Sequence, residues 1–465
     1  MKKVSMIMAC YNSAPYLDHM LESILAQTYD NIELITVNGS SSDNTSEKLR
    51  SWVQAFKDRG YGMLNIEKPG SSLNDAVNEG FRHFTGDFVC IIDSDDYVSP
   101  EYTWALVRCL EDAPACGWAK CDAAVLIDDT MGQLISKNAN RVSKPYITDD
   151  MIRFIARLDY LDGWTIMMRA DYLKRCLPDL RLPDAVSHEI ALIALLSANG
   201  SYAHIPRVLY YNLRHKGSGH DRYYSAIESA ISSLDSCIYS FNKSLSYVDM
   251  EKDKRERYET AFSFRFLKKK FFLAHRLGHC DICDPFIKDL LLSLINNINM
   301  SAPENTLDNN SAFYCAPIAC AALINIILSI PLSCSEDDLA SIKEKGFIIY
   351  GAGSYCKFIL PALKALDLEP IEIWDKSAAA GDSLNGYPLI NPSDARPHSP
   401  ILIMLSYDLT EDILRNQLRT IPRDAVYTTD EAESILIAAF VKKYMPDKAA
   451  ELTYVGKERR QPAVN

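Results

Sequence analysis

Three carboxylates stand together directly after an apolar run of strand length. A run over 88–92 is followed by Asp93-Ser94-Asp95-Asp96. Carboxylates grouped at the end of a buried strand are unfavourable unless something positive lies beside them. A hard divalent cation takes oxygen ligands of this kind and can bridge to phosphate oxygens. The alternative reading is an acidic turn that caps a helix over 97–110.

Strand and helix patterns alternate over residues 1–222, and these elements must position the acidic cluster. Such alternation predicts an α/β domain with a parallel sheet. Ligands of parallel sheets bind beyond the carboxyl ends of the strands, so a site is expected at the loops Cys10–Asn12, Asn38–Asp43 and Asp93–Asp96. The pattern predicts strands over 4–10, 32–37, 62–66 and 88–92 and helices over 17–25, 45–56 and 75–84.

The composition is ordinary for a soluble globular chain, with 48% apolar and 24% charged residues. This excludes a mainly disordered or collagen-like protein. The formal net charge of −12 argues against a protein that neutralises nucleic-acid phosphates. The 13 cysteines are scattered over the chain, and the N-terminus shows no secretory leader pattern. We therefore expect a cytoplasmic protein.

The order of motifs over about the first 220 residues resembles the family 2 glycosyltransferases, which have a GT-A fold. Each motif is weak alone, and the resemblance rests on several motifs in the right order. The Asp-x-Asp motif of that family corresponds to Asp93-Ser94-Asp95, and its His-x-Gly-Ser loop corresponds to His215–Ser218. The other matching stretches are Val4–Asn12, Ser23–Tyr29, Asn38–Thr45, Ser72–Phe81, Thr85–Phe88 and Ala203–Tyr211.

The resemblance implies transfer of a sugar from a nucleotide-diphosphate donor to an acceptor hydroxyl, with an inverting outcome. Negative charge develops on the departing diphosphate, and a divalent cation, Mn²⁺ or Mg²⁺, would neutralise it. By resemblance, Asp95 holds the cation with Asp93 nearby, and Asp93 also lies near the donor's ribose or sugar. His215 is expected to approach the same diphosphate, or else to be a solvated loop histidine.

The donor's nucleobase is expected at Ala9, Tyr11 and Asn38. Tyr11 can pack against the base. The family usually carries Asp at the position of Asn38; Asn keeps an acceptor oxygen but adds two donors and loses the charge. This departure leaves the identity of the base open. By resemblance Asp75 and Asn78, one helical turn apart, face the donor; the alternative is an acidic residue that stabilises a helix N-terminus beside an exposed Asn.

An inverting transfer needs a general base that takes the proton of the acceptor hydroxyl. The family usually supplies the base from a Glu-Asp pair, which is absent here. Glu189 is the first candidate, followed by His188 and Asp184; the alternative is that Glu189 merely begins a helix. Trp164 is expected either to line the acceptor side or to lie in the core.

The rest of the chain divides differently. Residues 223–337 predict a helical segment, residues 338–452 a Rossmann-like α/β domain, and residues 453–465 a polar tail. Gly351–Cys356 follows a strand, and Asp375 closes the next strand, which is the spacing of a dinucleotide-binding motif, although Cys356 replaces the third glycine. Both a structural or partner-binding role and NAD(P) or nucleotide-sugar binding stay open.

Three further patterns are read as structural. The uncharged run Ala312–Leu332 is about as long as a membrane span, but Pro317 and Pro331 interrupt it and favour a buried or interfacial helix. The basic and aromatic stretch Phe264–Phe272 favours a packed amphipathic helix over contact with an anionic membrane. A zinc site is disfavoured because four ligands on one straight helix rarely wrap a metal, and this pattern involves His275, His279, Cys280 and Cys283.

We therefore predict an α/β protein with a GT-A nucleotide-diphospho-sugar transferase domain, a helical middle segment and a Rossmann-like C-terminal domain. Its predicted partners are a nucleotide-diphosphate sugar and a glycan or lipid-linked acceptor of surface polysaccharide biosynthesis, with no nucleic acid. The predicted location is the cytoplasm, with peripheral contact at the inner face of the membrane as an option. The two rival hypotheses are a binding or scaffold protein on a transferase fold and a bifunctional enzyme with a nucleotide-binding C-terminal domain.

Overall fold

A computed structural model gives the fold of the protein. The chain forms two compact units, Met1–Glu259 and Thr260–Asn465, and the boundary falls within the predicted helical segment. The structure describes residues 1–127, 134–135, 150–157, 165–183, 187–215, 226–279, 285–298, 309–395, 399–404, 418, 421–422 and 425–454.

The first unit begins with alternating strands and helices and ends with helices. In its first half the elements are β1 Val4–Cys10, α1 Leu17–Leu25, β2 Ile32–Asn38, α2 Thr45–Arg59, β3 Gly62–Glu67, α3 Leu73–His83, β4 Phe88–Asp93, β5 Tyr97–Val98 and α4 Tyr102–Asp112. They are followed by β6 Trp118–Ile127, β7 Leu134–Ile135, α5 Asp150–Arg157, β8 Ile166–Arg169, α6 Ala170–Cys176, α7 His188–Asn199, β9 Tyr202–Arg214 and α8 Ile227–Leu245. Helix α9 Lys252–Arg276 contains the boundary between the two units.

The sheet of the first unit has the strand order β3-β2-β1-β4-β8-β6-β9-β5, and β7 pairs with β6. Strands β3, β2, β1 and β4 are mutually parallel. Strand β8 runs antiparallel to β4 and β6, whereas β6 and β9 are parallel. The predicted α/β architecture with parallel N-terminal strands is confirmed.

Helix packing on the parallel strands is tight. Every residue of β1 except Ala9 is buried, as a strand covered on both faces requires. Helix α3 lies close to this strand: a Cβ added to Gly80 would come within 2.3 Å of Ile7 Cγ2. The close approach explains a glycine in the interior of α3, where glycine is otherwise unfavourable.

One local prediction was wrong. The helix considered over 97–110 begins only at Tyr102, because Tyr97 and Val98 form the strand β5 instead. These two residues pair with Tyr211 and Tyr210 of β9. The tertiary pairing overrides the local helical pattern and ties the end of the acidic cluster to β9.

The second unit carries helices and a second sheet. Its elements after α9 are α10 Pro285–Ile298, α11 Asn309–Leu328, α12 Glu336–Lys345, β10 Phe347–Tyr350, α13 Ser354–Ala365, β11 Pro370–Trp374, β12 Ser383–Leu384, β13 Tyr387–Ile390, β14 Ile401–Ile403, β15 Val426–Tyr427, α14 Thr429–Tyr444 and a 3₁₀ helix Pro446–Glu451. The strand order of the sheet is β12-β13-β11-β10-β14-β15, with β12 antiparallel to β13 and the other pairs parallel. The additional C-terminal α/β sheet is as expected; its Rossmann-like character stays a prediction.

The apolar and basic stretches of the second unit pack inside it. In α9, Phe266 and Phe271 are buried, Lys270 is buried, and Lys268 forms an ion pair with Glu433. These contacts favour the packed amphipathic helix, and membrane contact stays a prediction. None of the helices in the described part of the chain combines the length and the apolar composition that a membrane span requires.

Candidate active site

The parallel strands of the first unit end at one edge of the sheet. Ala9 lies opposite Asp93, Cys10 lies opposite Asn38, and Asn38 lies opposite Glu67 in the strand register. The ends of β1, β2, β3 and β4 therefore stand side by side, at about 4.7–4.9 Å per strand. This edge brings together Ala9, Asn38 and Asp93, which are three of the residues that the sequence predicted for donor and metal binding.

The acidic cluster lies at the end of β4. Asp93, Asp95 and Asp96 each offer a carboxylate oxygen, and these oxygens lie within 4.8 Å of one another. Asp93 and Asp95 are half-buried, whereas Asp96 is buried. Burial, together with the carboxylates of Asp93 and Asp95, holds the pKa of Asp96 well above its usual value. A divalent cation would relieve this mutual repulsion, so these residues fit one.

Asp96 connects the cluster to β9. Its Oδ1 accepts a hydrogen bond of 2.8 Å from the Leu213 amide, and both its oxygens lie 3.2 Å from Asn212 Nδ2. In a second hydrogen bond the donor belongs to the cluster and the acceptor to β9: the Asp93 amide donates to the hydroxyl oxygen of Tyr210 at 3.0 Å. The end of β9 is therefore held against the acidic cluster by three of its residues.

His215 follows β9 directly and reaches the cluster. Its Nε2 lies 3.1 Å from Asp95 Oδ2, and its ring stacks on Tyr16 with centroids 4.0 Å apart. An imidazole nitrogen beside two carboxylates is a suitable donor set for Mn²⁺. Asp93, Asp95 and His215 are thus the residues that could hold a cation at this edge.

The loops after β1 and β2 support each other through side-chain hydrogen bonds. Asn12, at φ 50°, accepts from the Ser42 amide at 2.8 Å, and its own amide donates to Ser41 Oγ at 2.9 Å. Burial tends to raise the pKa of Asp43, but hydrogen bonds from Thr45 and Ala14 hold it below its usual value. These loops are fixed, whereas Tyr11 is 62% exposed and open to a ligand.

Asn38 is almost fully buried, and its amide is engaged within the protein. Nδ2 donates to Ser46 Oγ at 2.6 Å and to Glu67 Oε2 at 2.9 Å, and Oδ1 accepts from the Ser41 hydroxyl at 2.6 Å. Sequence reasoning did not select Glu67. The signal that could have found it is its position at the carboxyl end of β3, the same edge as the other strand ends.

Asp75 and Asn78 have structural partners. Asp75 forms a capping box with Ser72 at the start of α3, where its carboxylate accepts from the Ser72 amide and hydroxyl. Asn78 is buried, and its Oδ1 accepts from the Leu182 amide at 2.8 Å. The contacts favour the helix-stabilising reading for Asp75, and donor binding by the two residues stays a prediction.

The candidate bases lie at the start of α7. Ser187 caps this helix, and its amide donates to the buried Ser240 Oγ of α8 at 3.0 Å. His188 is buried, which lowers its pKa to about 4. Glu189, in the first turn, is half-buried. Asp184 and Trp164 lie outside the described residues.

In the second unit, the carboxylate of Asp375 accepts a hydrogen bond from the glycine-rich turn. Asp375 Oδ2 accepts from the Ala352 amide at 2.8 Å, and Oδ1 accepts from the Ser377 amide and hydroxyl. Cys356 is fully buried where a dinucleotide motif carries its third glycine. These contacts favour a structural role, and nucleotide binding by this domain stays a prediction.

The disfavoured zinc pattern gains no support from the part of the chain that the structure describes. The His275 ring packs against Phe358 with centroids 4.6 Å apart, and burial lowers its pKa. His279 lies just past the end of α9. Cys280 and Cys283 lie outside the described residues.

The first part of the chain matches a known protein family. Residues 5–175 match the family model described as Glycosyl transferase family 2. This N-terminal part of the chain belongs to that family, as its motifs predicted, and the match includes Asp93 and Asp95.

Curated relatives share only part of their length with the chain. Glycosyltransferase GlyA of Streptococcus pneumoniae serotype 4 is 34% identical over 106 residues, which are 23% of this chain and 15% of the relative. Putative glycosyltransferase EpsH of Bacillus subtilis is 32% identical over 127 residues, which are 27% of this chain and 35% of the relative. The chain thus spans about a third or less of the length of these relatives.

A crystal structure of S. aureus TarS 1-349 in complex with UDP-GlcNAc aligns with a TM-score of 0.47 and 17% identity, covering 70% of this chain and 90% of that one.

Proposed function

We propose that the protein is a metal-dependent, inverting glycosyltransferase. It moves a sugar from a nucleotide-diphosphate donor to a hydroxyl of a glycan or a lipid-linked acceptor in the biosynthesis of a surface polysaccharide. One observation carries the proposal: within a family 2 domain, two half-buried carboxylates and an imidazole meet at the end of β4. Asp93 and Asp95 come from one strand end, and His215 lies 3.1 Å from Asp95.

Residues at this edge have distinct parts in the proposed reaction. Asp93, Asp95 and His215 would hold a divalent cation, which would supply positive charge beside the departing diphosphate. Tyr11 is exposed beside the strand ends and packs against the nucleobase. The fixed loops after β1 and β2 limit how far the donor can shift.

The transfer itself is a single displacement at the anomeric carbon of the donor sugar. The acceptor oxygen forms a bond to this carbon, the bond from the carbon to the diphosphate oxygen breaks, and the configuration inverts. The Glu189 carboxylate takes the proton of the acceptor hydroxyl as general base. Its place in the first turn of α7, held by the Ser187 cap and by Ser240, gives it a defined position. His188 is less suitable as a base because it is buried.

We place this reaction in the cytoplasm. The 13 cysteines are scattered over the chain and not closely spaced in pairs, which is typical of proteins from a reducing compartment. Contact with a membrane-bound acceptor at the inner face of the membrane is compatible with this proposal.

The test is ligand binding by the full chain. Thermal unfolding is followed with a panel of nucleoside diphosphates, each with and without Mn²⁺, for the wild type, Asp95→Ala and Asp112→Ala. A ligand at one hundred times its Kd adds about 2.7 kcal/mol, which raises Tm on the order of 5 °C. We expect one or more nucleotides to stabilise the wild type only with Mn²⁺.

Asp95→Ala should lose this stabilisation. Asp112→Ala should keep it, because Asp112 is an exposed residue at the end of α4 that pairs with Arg108. If no nucleotide stabilises the wild type with or without metal, the transferase proposal fails and a scaffold role on this fold becomes the better explanation. Equal stabilisation of Asp95→Ala would refute the metal site alone.

A further inference from the structure

A carboxylate stands next to Asn38 at the donor edge of the sheet. Glu67 ends β3 and is the register partner of Asn38. Its Oε2 accepts a hydrogen bond of 2.9 Å from Asn38 Nδ2, and Oε1 lies 3.7 Å from an Arg50 guanidinium nitrogen. The Glu67 side chain is 44% exposed. The carboxylate is therefore anchored through one oxygen and accessible from solvent.

Asn38 itself has little capacity left for a ligand. It is 1% exposed, both N–H groups of its amide are donated within the protein, and its oxygen accepts the Ser41 hydroxyl. An Asn offers two donors and one acceptor oxygen, so this side chain is nearly saturated. The family usually has a carboxylate at the position of Asn38. If a carboxylate is to contact the nucleobase of the donor in this protein, another residue must supply it.

The geometry points to Glu67 as the residue that supplies it. We propose that Glu67 reads the nucleobase of the donor by accepting its ring N–H, and that Asn38 holds Glu67 in place. This inference rests on the proposed transferase function and names a specificity residue within it. Glu67 lies on β3, the strand next to that of Asn38, so its backbone is about 4.8 Å from the position where the family usually has its carboxylate.

The chemistry of the bases then sets the class of donor. An ionised carboxylate only accepts hydrogen bonds. Uracil and thymine carry a ring N–H at N3, and guanine carries one at N1, so each can donate to Glu67. Adenine and cytosine present an acceptor nitrogen at the matching ring position, which faces the carboxylate unfavourably. The site should therefore select uridine-, thymidine- or guanosine-type donors over adenosine- and cytidine-type donors.

The experiment measures binding of UDP, dTDP, GDP, ADP and CDP to the full chain with Mn²⁺ by titration calorimetry. The variants are Glu67→Gln, the same change combined with Asn38→Asp, and Glu22→Gln as an exposed control on α1. For the wild type we expect at least one of UDP, dTDP and GDP to bind about tenfold or more tightly than ADP and CDP. That ratio is what one hydrogen bond to a charged group provides.

Glu67→Gln keeps an acceptor oxygen for Asn38, so the fold should persist while the preference falls to within about threefold. The combined variant returns a carboxylate to position 38 and should recover most of the preference. Glu22→Gln should behave as the wild type. If Glu67→Gln binds with undiminished preference, or if the wild type prefers ADP or CDP, the assignment of Glu67 is overturned while the transferase function stands. If no nucleotide binds the wild type, both proposals fail.

Discussion

Asp96 offers a sharp test of how the site is built, because it belongs to the acidic cluster and yet bonds to β9. Replacement by Ala removes the acceptor of the Leu213 amide and of the Asn212 side chain. Replacement by Asn keeps an oxygen for Leu213, and the Asn212 amide can turn so that its own oxygen accepts. The two variants therefore differ in the hydrogen bonds to β9 and agree in the loss of the carboxyl group.

The expected magnitudes follow from these contacts. Each buried polar group left unpaired costs about 1–3 kcal/mol, so Asp96→Ala should lose roughly 2–6 kcal/mol of unfolding free energy. Asp96→Asn should lose less than about 1.5 kcal/mol, since Leu213 stays paired. The control Asp112→Ala breaks only an exposed ion pair with Arg108 and should lose about 1 kcal/mol or less.

The assay combines urea denaturation in metal-free buffer with Mn²⁺ titration followed by electron paramagnetic resonance. If Asp96 acts by holding β9, then Asp96→Ala also releases His215 from the cluster, and its Kd for Mn²⁺ should rise about tenfold, as expected for loss of a supporting residue. Asp96→Asn should stay within about threefold of the wild type. Equal losses in the two variants, in stability or in Mn²⁺ affinity, would refute a positioning role and point to direct ligation through the charge.

Three further changes test other parts of the first unit. Gly80→Ala places a methyl group 2.3 Å from Ile7 Cγ2 and should lower the unfolding free energy by about 1–3 kcal/mol in urea titrations; an unchanged midpoint would mean that α3 does not press on β1. Ser240→Ala leaves the Ser187 amide unpaired and should cost about 1–3 kcal/mol, and Ser240→Thr, which restores the hydroxyl, should recover part of the loss. Glu189→Gln should reduce kcat by about 10²- to 10⁴-fold in a nucleoside-diphosphate release assay while donor binding is kept, and near-normal turnover would exclude Glu189 as the base.

The grouping of the candidate donor-binding residues at one edge of the sheet could be predicted from sequence because it depends on strand ends. Four apolar runs of strand length predicted parallel strands, and parallel strands bring their carboxyl ends to one edge. The strand pattern alone was enough to put Asp93 and Asp95 at this edge, and their part in metal binding stays a prediction. Glu67 was not selected because its contact with Asn38 depends on the lateral register of β3 against β2, which no single strand pattern contains.

The surroundings of the candidate bases were harder to predict for a different reason. The candidate bases are placed by tertiary contacts between α7 and α8, and local pattern does not show which residue of a helix start faces a site. His188 and Glu189 are neighbours in sequence, yet the first is buried and the second is half-buried. Asp96 is buried whereas its neighbour Asp95 is half-buried, and this difference also depends on a tertiary contact. The hydrogen bonds to β9 decide which of the two carboxylates is buried.

The proposed site is completed by chain that lies beyond the segment matching the family model. That segment ends at residue 175 and contains Asp93 and Asp95. His215, which faces Asp95, and Glu189, which begins α7, come later in the chain. In the proposed mechanism the family segment supplies the carboxylates, whereas metal affinity and base catalysis depend on how β9 and α7 are held. Under this proposal, changes in β9 or α7 should impair activity even where the Asp-x-Asp motif is intact, since the motif alone lacks both the imidazole and the base.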